Sequence, residues 1–338
     1  MKKVVLKDIA RHVGVSTALV SYVLNDLAEE KQVGKEIAEK IRQAAIELNY
    51  QPNQIARSLK TRKTHTIGLI VADINYRFSY GITRAIEEEA KKKNYTVIFG
   101  SSNEDHEKFS ALVNVLVNRQ VDGLILVPVE NSENQIKALQ KSEVPFVLID
   151  RNFPGINANF IALDNHKASY DSTVHLIKTG HKRIAFVNYK TPLFHLHERN
   201  KGYINALQEN NITFNPAWLQ EVRDTHLKED MQKAIDHIIS LPEPCDAVFF
   251  ATDVLAMTGL RHINQIKLNV PEQMAVLSFD EAEAFDLFYC PITHARQPLE
   301  KMGKLAVDIV VDLINHNKVL KQIYFESDFV VGRSCGEV

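Results

Sequence analysis

The stretch LKDIARHVGVSTALVSYVLN, residues 6–25, decides how this 338-residue chain begins. Ile9 and Val13 lie four residues apart, so they share one face of a helix. Gly14 can adopt a positive φ and therefore suits a tight turn. Ser16 is a good N-cap for a second helix, because its hydroxyl accepts a hydrogen bond from a free backbone N–H. The pattern predicts two short helices joined by a glycine turn.

The second of these helices has two different faces. Its inward face carries Val20, Val23 and Leu24. The opposite face is small and polar, which fits the major groove of DNA and offers groups to bases or phosphates. The candidate DNA-contacting residues are Ser16, Thr17, Ala18, Ser21, Tyr22 and Asn25. An ordinary helical hairpin packed on a core has a similar pattern, so the context has to decide between the two.

Charge is divided unequally along the chain. Residues 1–63 carry 12 Lys and Arg against 7 Asp and Glu, a net charge of +5. The rest carries 28 against 35, a net charge of −7. A basic N-terminal module on an acidic body is typical of phosphate binding confined to one end of a protein. Residues 36–49 also have the apolar spacing of a third helix, which would complete a small core.

A basic segment follows this third helix. Gln51 precedes a proline and should be extended, which ends the helix. Asn53 can cap a short new helix, QIARSLK, and four cations lie close together there: Arg57, Lys60, Arg62 and Lys63. The segment is either a hinge that folds on contact with DNA or a flexible basic linker.

The remainder of the chain alternates apolar runs of strand length with amphipathic helical segments, from 67–72 to 299–315. Such alternation predicts parallel sheets that are covered by helices on both faces. Roughly 275 residues exceed one compact α/β unit, so we expect two lobes. No 18-residue apolar run and no signal peptide occur, which predicts a cytoplasmic protein without a membrane partner.

Catalytic and metal-binding motifs are missing from the sequence. It contains no GxGxxG, GxxxxGK[ST], GxSxG or HExxH. His195 and His197 occur beside Glu198 in HLHE, but no second cluster completes a coordination shell, so a polar ligand-facing loop is the better interpretation. The three cysteines are far apart and are interpreted as buried thiols. We therefore expect no catalytic residue, no metal and no cofactor.

Several motifs together resemble the lactose-repressor (LacI/GalR) family of bacterial transcriptional regulators. The headpiece carries LKDIA-x₃-GVS-x₃-VS-x-VLN, followed by LNY-x-PN-x-x-A-x-SL and TIGLIV. The likeness continues in the family's order through VDGLILVP, VPFVLIDR, RNKGY, ATDVLAM, VPEQMAVLSFD and THARQPLEKMG, and so covers nearly the whole chain. It implies an all-α helix-turn-helix headpiece plus an α/β, two-lobed, periplasmic-binding-protein-like body with parallel sheets.

The resemblance also implies a domain layout. The headpiece would take residues 1–50, a hinge helix or linker 51–64, and an effector-binding and dimerisation domain 65–338. Three crossovers would divide this last domain, with the N-lobe at about 65–165 and 294–323 and the C-lobe at about 166–293 and 324–338.

By resemblance, the chain is a sequence-specific transcriptional regulator and, by family habit, a repressor. Its partners would be double-stranded operator DNA, a small sugar-like effector bound between the lobes, and a second copy in a homodimer, because no heptad repeat follows the last strand. Two rival classes are a ligand-binding protein without a DNA role and an α/β enzyme acting on sugars. The basic headpiece and missing export signal argue against the first, and the missing catalytic motifs against the second.

Site residues follow from the family's motifs. In the hinge, Asn53, Ala56 and Arg57 match positions next to Leu59, the leucine that wedges into a minor-groove step and kinks the duplex. In the cleft, the resemblance implies that the effector is contacted by Phe78, Asp150, His195, Arg199, Thr252 and Asp280. Arg199 opens the R-x-x-G-Y motif, and its planar fork suits hydroxyl pairs or anionic groups.

Two departures from the family's pattern are informative. The first cleft loop lacks the usual proline and adds Arg77, an extra cation that would favour an acidic or phosphorylated sugar. The second helix has Leu19-Val20-Ser21-Tyr22 where the family commonly has Thr-Val-Ser-Arg. Tyr22 cannot make the paired bonds that Arg makes to guanine O6 and N7, so we predict an operator that differs at that base pair.

Overall fold

A computed structural model describes residues 4–51, 63–317 and 320–336. The chain divides into two compact units, Met1–Thr64 and His65–Val338, which are the headpiece and the body. The predicted hinge contacts Asn53, Ala56, Arg57 and Leu59 lie outside the described residues.

Within residues 4–51, three helices form the headpiece, and they agree with the predicted helix-turn-helix. They are α1 (Leu6–Val13), α2 (Thr17–Leu24) and α3 (Lys35–Glu47). Gly14 ends α1 with φ of 77°, the left-handed turn that glycine permits. Ser16 begins α2 as predicted, since its Oγ accepts a hydrogen bond from the Leu19 backbone N–H at 3.2 Å. A small apolar core that includes the fully buried Ile9, Val20 and Ile41 joins the three helices.

The first lobe of the body, the N-lobe, is a six-stranded sheet that is parallel throughout. Its strands are β1 (Thr66–Val71), β2 (Thr96–Ser101), β3 (Gly123–Leu126), β4 (Phe146–Ile149), β5 (Phe160–Leu163) and β11 (Gln322–Phe325), in the order β11-β5-β4-β3-β1-β2. The helices that join them are α4 (Arg77–Lys92), α5 (His106–Asn118), α6 (Glu133–Lys141) and α11 (Leu299–Ile314). The middle strands are apolar on both faces, as a parallel sheet covered by helices requires.

The second lobe, the C-lobe, repeats this plan. Its strands are β6 (Ile184–Tyr189), β7 (Leu219–Val222), β8 (Ala247–Phe250), β9 (Ala275–Phe279), β10 (Thr293–Arg296) and β12 (Asp328–Val330), in the order β12-β10-β9-β8-β6-β7. All pairs are parallel except the edge pair β10 and β12. The helices are α7 (Asn165–Lys178), α8 (Phe194–Glu209), α9 (Leu227–Ser240) and α10 (Asp253–Gln265).

In the described part of the chain, the polypeptide crosses between the lobes after β5, after β10 and after β11. The last two crossings fall a few residues later than the boundaries near 294 and 323 that we expected. Residues 293–296 pair with β9 and therefore belong to the C-lobe, with Ala295 fully buried. Residues up to 325 pair with β5 and belong to the N-lobe. None of the described helices combines the length and apolar character needed to span a membrane.

Candidate effector cavity and DNA-contact face

A cavity of about 280 Å³ lies between the two lobes of the body. Many of its walls come from residues that directly follow the strands, which is where ligands bind in open α/β sheets. The cavity brings together all six predicted effector contacts: Phe78, Asp150, His195, Arg199, Thr252 and Asp280. Residues more than 200 positions apart in the sequence thus face one space.

Arg199 is the most constrained side chain of the cavity. It is 2% exposed, and its Nε donates to Asn165 Oδ1 at 2.8 Å. Its Nη1 donates to the Ala251 carbonyl at 2.6 Å and to Asp280 Oδ2 at 3.3 Å. The guanidinium carbon lies 3.4 Å from the centre of the Phe279 ring. Stacking and hydrogen bonds together fix the plane of this fork.

Two aspartates occupy equivalent positions in the two lobes. Asp150 follows β4 with φ of 69°, and Asp280 follows β9 with φ of 63°. Asp is one of the few residue types other than glycine that tolerate this left-handed conformation, at a cost of about 1–2 kcal/mol. The backbone N–H of each aspartate donates to the neighbouring strand, at Ile161 O and Ala295 O respectively. Both aspartates line the cavity.

Burial dominates the electrostatics of Asp150. It raises the pKa of this carboxyl to about 6, although Arg151 and Arg199 favour the ionised form. Arg151 Nε lies 3.5 Å from Asp150 Oδ2. The Nη atoms of Arg151 bind both carboxylate oxygens of Glu104, at 2.8 and 2.7 Å. We did not predict Arg151 as a site residue, although it is the last letter of the VPFVLIDR motif.

The remaining predicted residues differ in their roles. His195 is buried, and burial together with Arg151 and Arg199 lowers its pKa well below the usual value, so its imidazole is neutral at pH 7. Thr252 Oγ1 accepts from the Leu255 backbone N–H at 3.2 Å and therefore caps α10 as well as lining the cavity.

Sequence reasoning missed several lining residues: Tyr76, Glu104, Arg151, Tyr189, Asp253 and Gln297. Tyr76 lies two residues before Phe78, and Asp253 directly follows Thr252, so proximity to predicted contacts was the available signal. Gln297 Nε2 donates to Asp280 Oδ1 at 2.8 Å from the segment that crosses between the lobes. Asp280 is thus held from two sides, by Arg199 and by Gln297.

Arg77 has a different role from the one we expected. It does not line the cavity, and its Nη2 donates to Glu281 Oε2 in the opposite lobe at 2.5 Å. Its positive charge is therefore matched by a carboxylate, and the expectation that Arg77 favours an acidic effector loses its basis. A second polar contact joins the lobes where the Thr191 hydroxyl donates to the Glu130 carboxylate.

In the headpiece, α2 shows the predicted division into two faces. Val20 and Val23 are buried, and Leu24 is half-buried against the same core. Of the predicted DNA-contacting residues, Ser16, Thr17, Ala18 and Asn25 are exposed, and Ser21 and Tyr22 are half-buried. Asn25 Nδ2 donates to the Ser21 carbonyl at 2.7 Å, which helps to end the helix. Of the two residues that depart from the family's pattern, Leu19 packs against the headpiece core, and Tyr22 is half-buried outside it.

Comparisons with known proteins agree with this geometry. Residues 5–53 match the family of bacterial regulatory proteins of the lacI type, and residues 173–335 match the periplasmic binding protein-like domain. The HTH-type transcriptional repressor PurR of Haemophilus influenzae strain PittEE is 30% identical over 326 residues, covering 96% of this chain and 95% of that protein. The HTH-type transcriptional regulator RegA of Clostridium saccharobutylicum is 33% identical over 316 residues, covering 93% of each chain.

Solved structures give the same result for the fold. The Lac repressor dimer bound to operator and the anti-inducer ONPF superposes with a TM-score of 0.87, at 22% identity, over 99% of this chain and 100% of that one. A complex of the transcriptional regulator CelR with cellobiose gives a TM-score of 0.71, at 25% identity, over 98% and 100%. Both the predicted fold class and the family resemblance are confirmed.

The family match and the relatives that span nearly the whole chain show a DNA-binding transcriptional regulator with an effector-binding body. The chain belongs to the lacI family of bacterial regulatory proteins. Regulators of this family bind operator DNA and small-molecule effectors.

Proposed function

We propose that this protein is a transcriptional repressor whose affinity for its operator is set by a small sugar-like molecule bound between the lobes. It acts in the bacterial cytoplasm, on the nucleoid, as a homodimer that places two headpieces on two half-sites of a near-palindrome. Repressors among the relatives and the dimeric state of the Lac repressor structure support this proposal.

The observation that carries the effector class is the hydrogen-bonded group formed by Arg199, Asp280 and Gln297. Carboxylate and guanidinium groups held in fixed positions suit the hydroxyl pairs of a sugar. Tyr76 and Phe78 add aromatic surface of the kind that packs on the face of a ring. At about 280 Å³, the cavity is near the lower end of the range for ligand pockets and suits a small molecule.

The DNA-contacting role falls to the exposed face of α2. Small side chains at Thr17 and Ala18 allow close approach to base edges, and the phenol of Tyr22 has both a donor and an acceptor. The hinge contacts predicted for Asn53, Ala56, Arg57 and Leu59 belong to the same proposal. Closure of the cleft would be transmitted to DNA as a coupling energy, typically about 1–3 kcal/mol in allosteric proteins.

Selection from a random pool of duplex DNA with the full chain tests the function. We expect enrichment of two inverted half-sites, with affinity that falls steeply as salt rises because phosphates are contacted. The half-site should lack the guanine that an Arg at the position of Tyr22 would select. A pool in which no sequence is enriched would overturn the proposed function.

A further inference from the structure

Two of the segments that carry the polypeptide between the lobes contain a buried amide side chain. Asn165 is the first residue of α7, directly after the crossing that follows β5. Gln297 lies between β10 and α11, in the next crossing. Asn165 is 7% exposed and Gln297 is 6% exposed. Burying an amide is costly unless it is hydrogen-bonded, so the partners of these two amides show what they hold in place.

The Asn165 amide joins the first crossing to Arg199. Its Nδ2 donates to the carbonyl of Leu163, the last residue of β5, at 3.0 Å. Its Oδ1 accepts from Arg199 Nε at 2.8 Å. The hydroxyl of Ser169, one turn further along α7, donates to the Arg199 backbone carbonyl at 2.7 Å. The start of α7 therefore holds Arg199 by its side chain and by its backbone.

The Gln297 amide joins the second crossing to Asp280. Its Nε2 donates to Asp280 Oδ1 at 2.8 Å. The other carboxylate oxygen, Asp280 Oδ2, accepts from Arg199 Nη1 at 3.3 Å. The Asp280 backbone N–H donates to the carbonyl of Ala295 in β10, two residues before Gln297, at 2.9 Å. Asp280 is thus the point at which Arg199 and the second crossing meet.

These contacts form one continuous hydrogen-bonded chain. In order, its members are Leu163, Asn165, Arg199, Asp280 and Gln297. The two charged members line the cavity, and the two amides belong to the crossings. The third crossing, after β11, lies beside one end of the chain, because the Asp164 backbone N–H donates to the Phe325 carbonyl at 2.8 Å.

A ligand that binds the charged members acts on both crossings. Arg199 Nη2 has no hydrogen-bond partner within the described residues, so the fork keeps a donor for a ligand while its other nitrogens are fixed. Hydrogen bonds weaken steeply when their geometry is distorted, so a shift of Arg199 or Asp280 is felt by the amides. The crossings are the segments that must change conformation when the lobes move.

We propose that Asn165 and Gln297 are positioning residues that couple the bound effector to the crossings between the lobes, and through them to operator affinity. They act through Arg199 and Asp280, whose positions they tie to the crossings. This inference rests on the proposed function and deepens it, because it names residues that transmit its regulation.

A double-mutant cycle on the full chain without ligand tests whether the two amides are coupled. Asn165→Ala removes one amide, and Gln297→Met keeps the length of the other side chain while removing its polar groups. No hydrogen bond joins the two amides directly within the described residues, so purely local roles predict that their effects on the unfolding midpoint of the body add. We expect the double variant to lose less than the sum of the two single decreases, because either change already interrupts the chain.

Gln220→Met is the matched control for this cycle. It removes the hydrogen bond from Gln220 Nε2 to the Ala217 carbonyl, in the same lobe but outside the cavity. Its effect on the unfolding midpoint should add to that of Asn165→Ala. Additive decreases for Asn165→Ala and Gln297→Met overturn the proposal.

Operator affinity then tests the link to regulation. The operator obtained by the DNA selection is titrated with and without saturating ribose, galactose, glucose or cellobiose, and the sugar that changes the parent's operator Kd most is used for comparison. We expect Asn165→Ala and Gln297→Met to reduce that change by about 2–30-fold, equivalent to about 0.5–2 kcal/mol of coupling. Gln220→Met should leave the change as it is in the parent.

Asn165→Asp separates coupling from ligand binding. It keeps an oxygen for Arg199 and loses the donor to the Leu163 carbonyl, so it should still bind the sugar in calorimetry while showing reduced coupling. A merely structural role would not divide the two in this way. Undiminished coupling in both Asn165 variants overturns the proposal while leaving the proposed function intact. A parent that binds operator but responds to none of the sugars counts against the proposed effector class, and the cycle of unfolding midpoints still decides whether the amides are coupled.

Discussion

In the headpiece, Val20 and Ile41 hold the fold and are fully buried, whereas Thr17 and Asn25, which we expect to contact DNA, are exposed. In the cavity, by contrast, the candidate contacts Asp150, His195 and Arg199 are themselves buried. The first arrangement separates stability from recognition. The second joins them, because a buried charge affects the folding free energy as well as the ligand. Each region should therefore respond differently to substitution.

The largest expected effect is on the headpiece core. Ile41→Ala removes a fully buried side chain from a core with few other members, which should cost about 2–5 kcal/mol. Operator binding should be lost, because α2 is held by that core, while ligand binding by the body should stay unchanged. Fluorescence anisotropy with operator DNA measures the operator affinity, and calorimetry with ligand measures the ligand affinity. Retained operator affinity would show that the headpiece does not depend on this core.

In the cavity, replacing a candidate contact should increase stability. The pKa of Asp150 is raised from 3.8 to about 6, so its ionised form disfavours the folded state by about 3 kcal/mol at pH 7. This penalty grows as pH rises from about 4 to about 6, because the folded protein holds the proton to higher pH than the unfolded chain. Asp150→Asn should therefore be more stable than the parent at pH 7 and equal to it near pH 4, while binding ligand more weakly.

Urea denaturation at the two pH values measures this difference. Asp286→Asn, which changes an exposed carboxylate, should leave stability unaltered at both. A lower stability of Asp150→Asn at pH 7 would mean that its ion pair with Arg151 outweighs the burial of its charge.

Substitution of Tyr22 should change which DNA sequence the headpiece prefers, while destabilising the fold less than Ile41→Ala does. Tyr22→Arg should gain preference for guanine at one base pair of each half-site, by about 1–3 kcal/mol, since Arg makes paired bonds to O6 and N7. Tyr22→Phe removes only the hydroxyl and is the matched control. Repeating the DNA selection with each variant measures the preference, and an unchanged half-site for Tyr22→Arg would place Tyr22 away from the bases.

The smallest effect concerns the contact between the lobes. The side chains of Arg77 and Glu281 are 26% and 30% exposed, so solvent screens their ion pair and limits it to about 1 kcal/mol or less. Because it joins the lobes, Arg77→Ala and Glu281→Gln should each weaken ligand binding a few-fold, and the double variant should be no weaker than either single one. Additive losses in this double-mutant cycle would show that the pair is not coupled to closure.

The sequence predicted some parts of this molecule much better than others. The two faces of α2 follow from local periodicity, and the turn before it follows from Gly14, so the sequence predicted both. The six cavity residues came from the family's motifs, and the fold does bring them together. The partners of Arg77 and Arg151 were not predictable, since Glu281 and Glu104 lie 204 and 47 residues away and only the tertiary structure brings each pair together.

The last two lobe boundaries, which we expected a few residues too early in the sequence, also depend on tertiary structure. The segment 293–296 has a strand pattern that suits either sheet, and only its pairing with β9 assigns it to the C-lobe. Strand pairing is a non-local choice that local apolar pattern does not encode.

If the cavity between the lobes controls DNA binding, the operator affinity of the full chain must depend on whether the cavity is filled, and measuring this affinity with and without a saturating small-molecule ligand tests that dependence. We expect the Kd for the selected operator to change by a factor of about 5–150, and the ligand Kd to change by the same factor when operator is bound. An operator Kd that is the same with empty and filled cavity would show that the cavity does not control DNA binding.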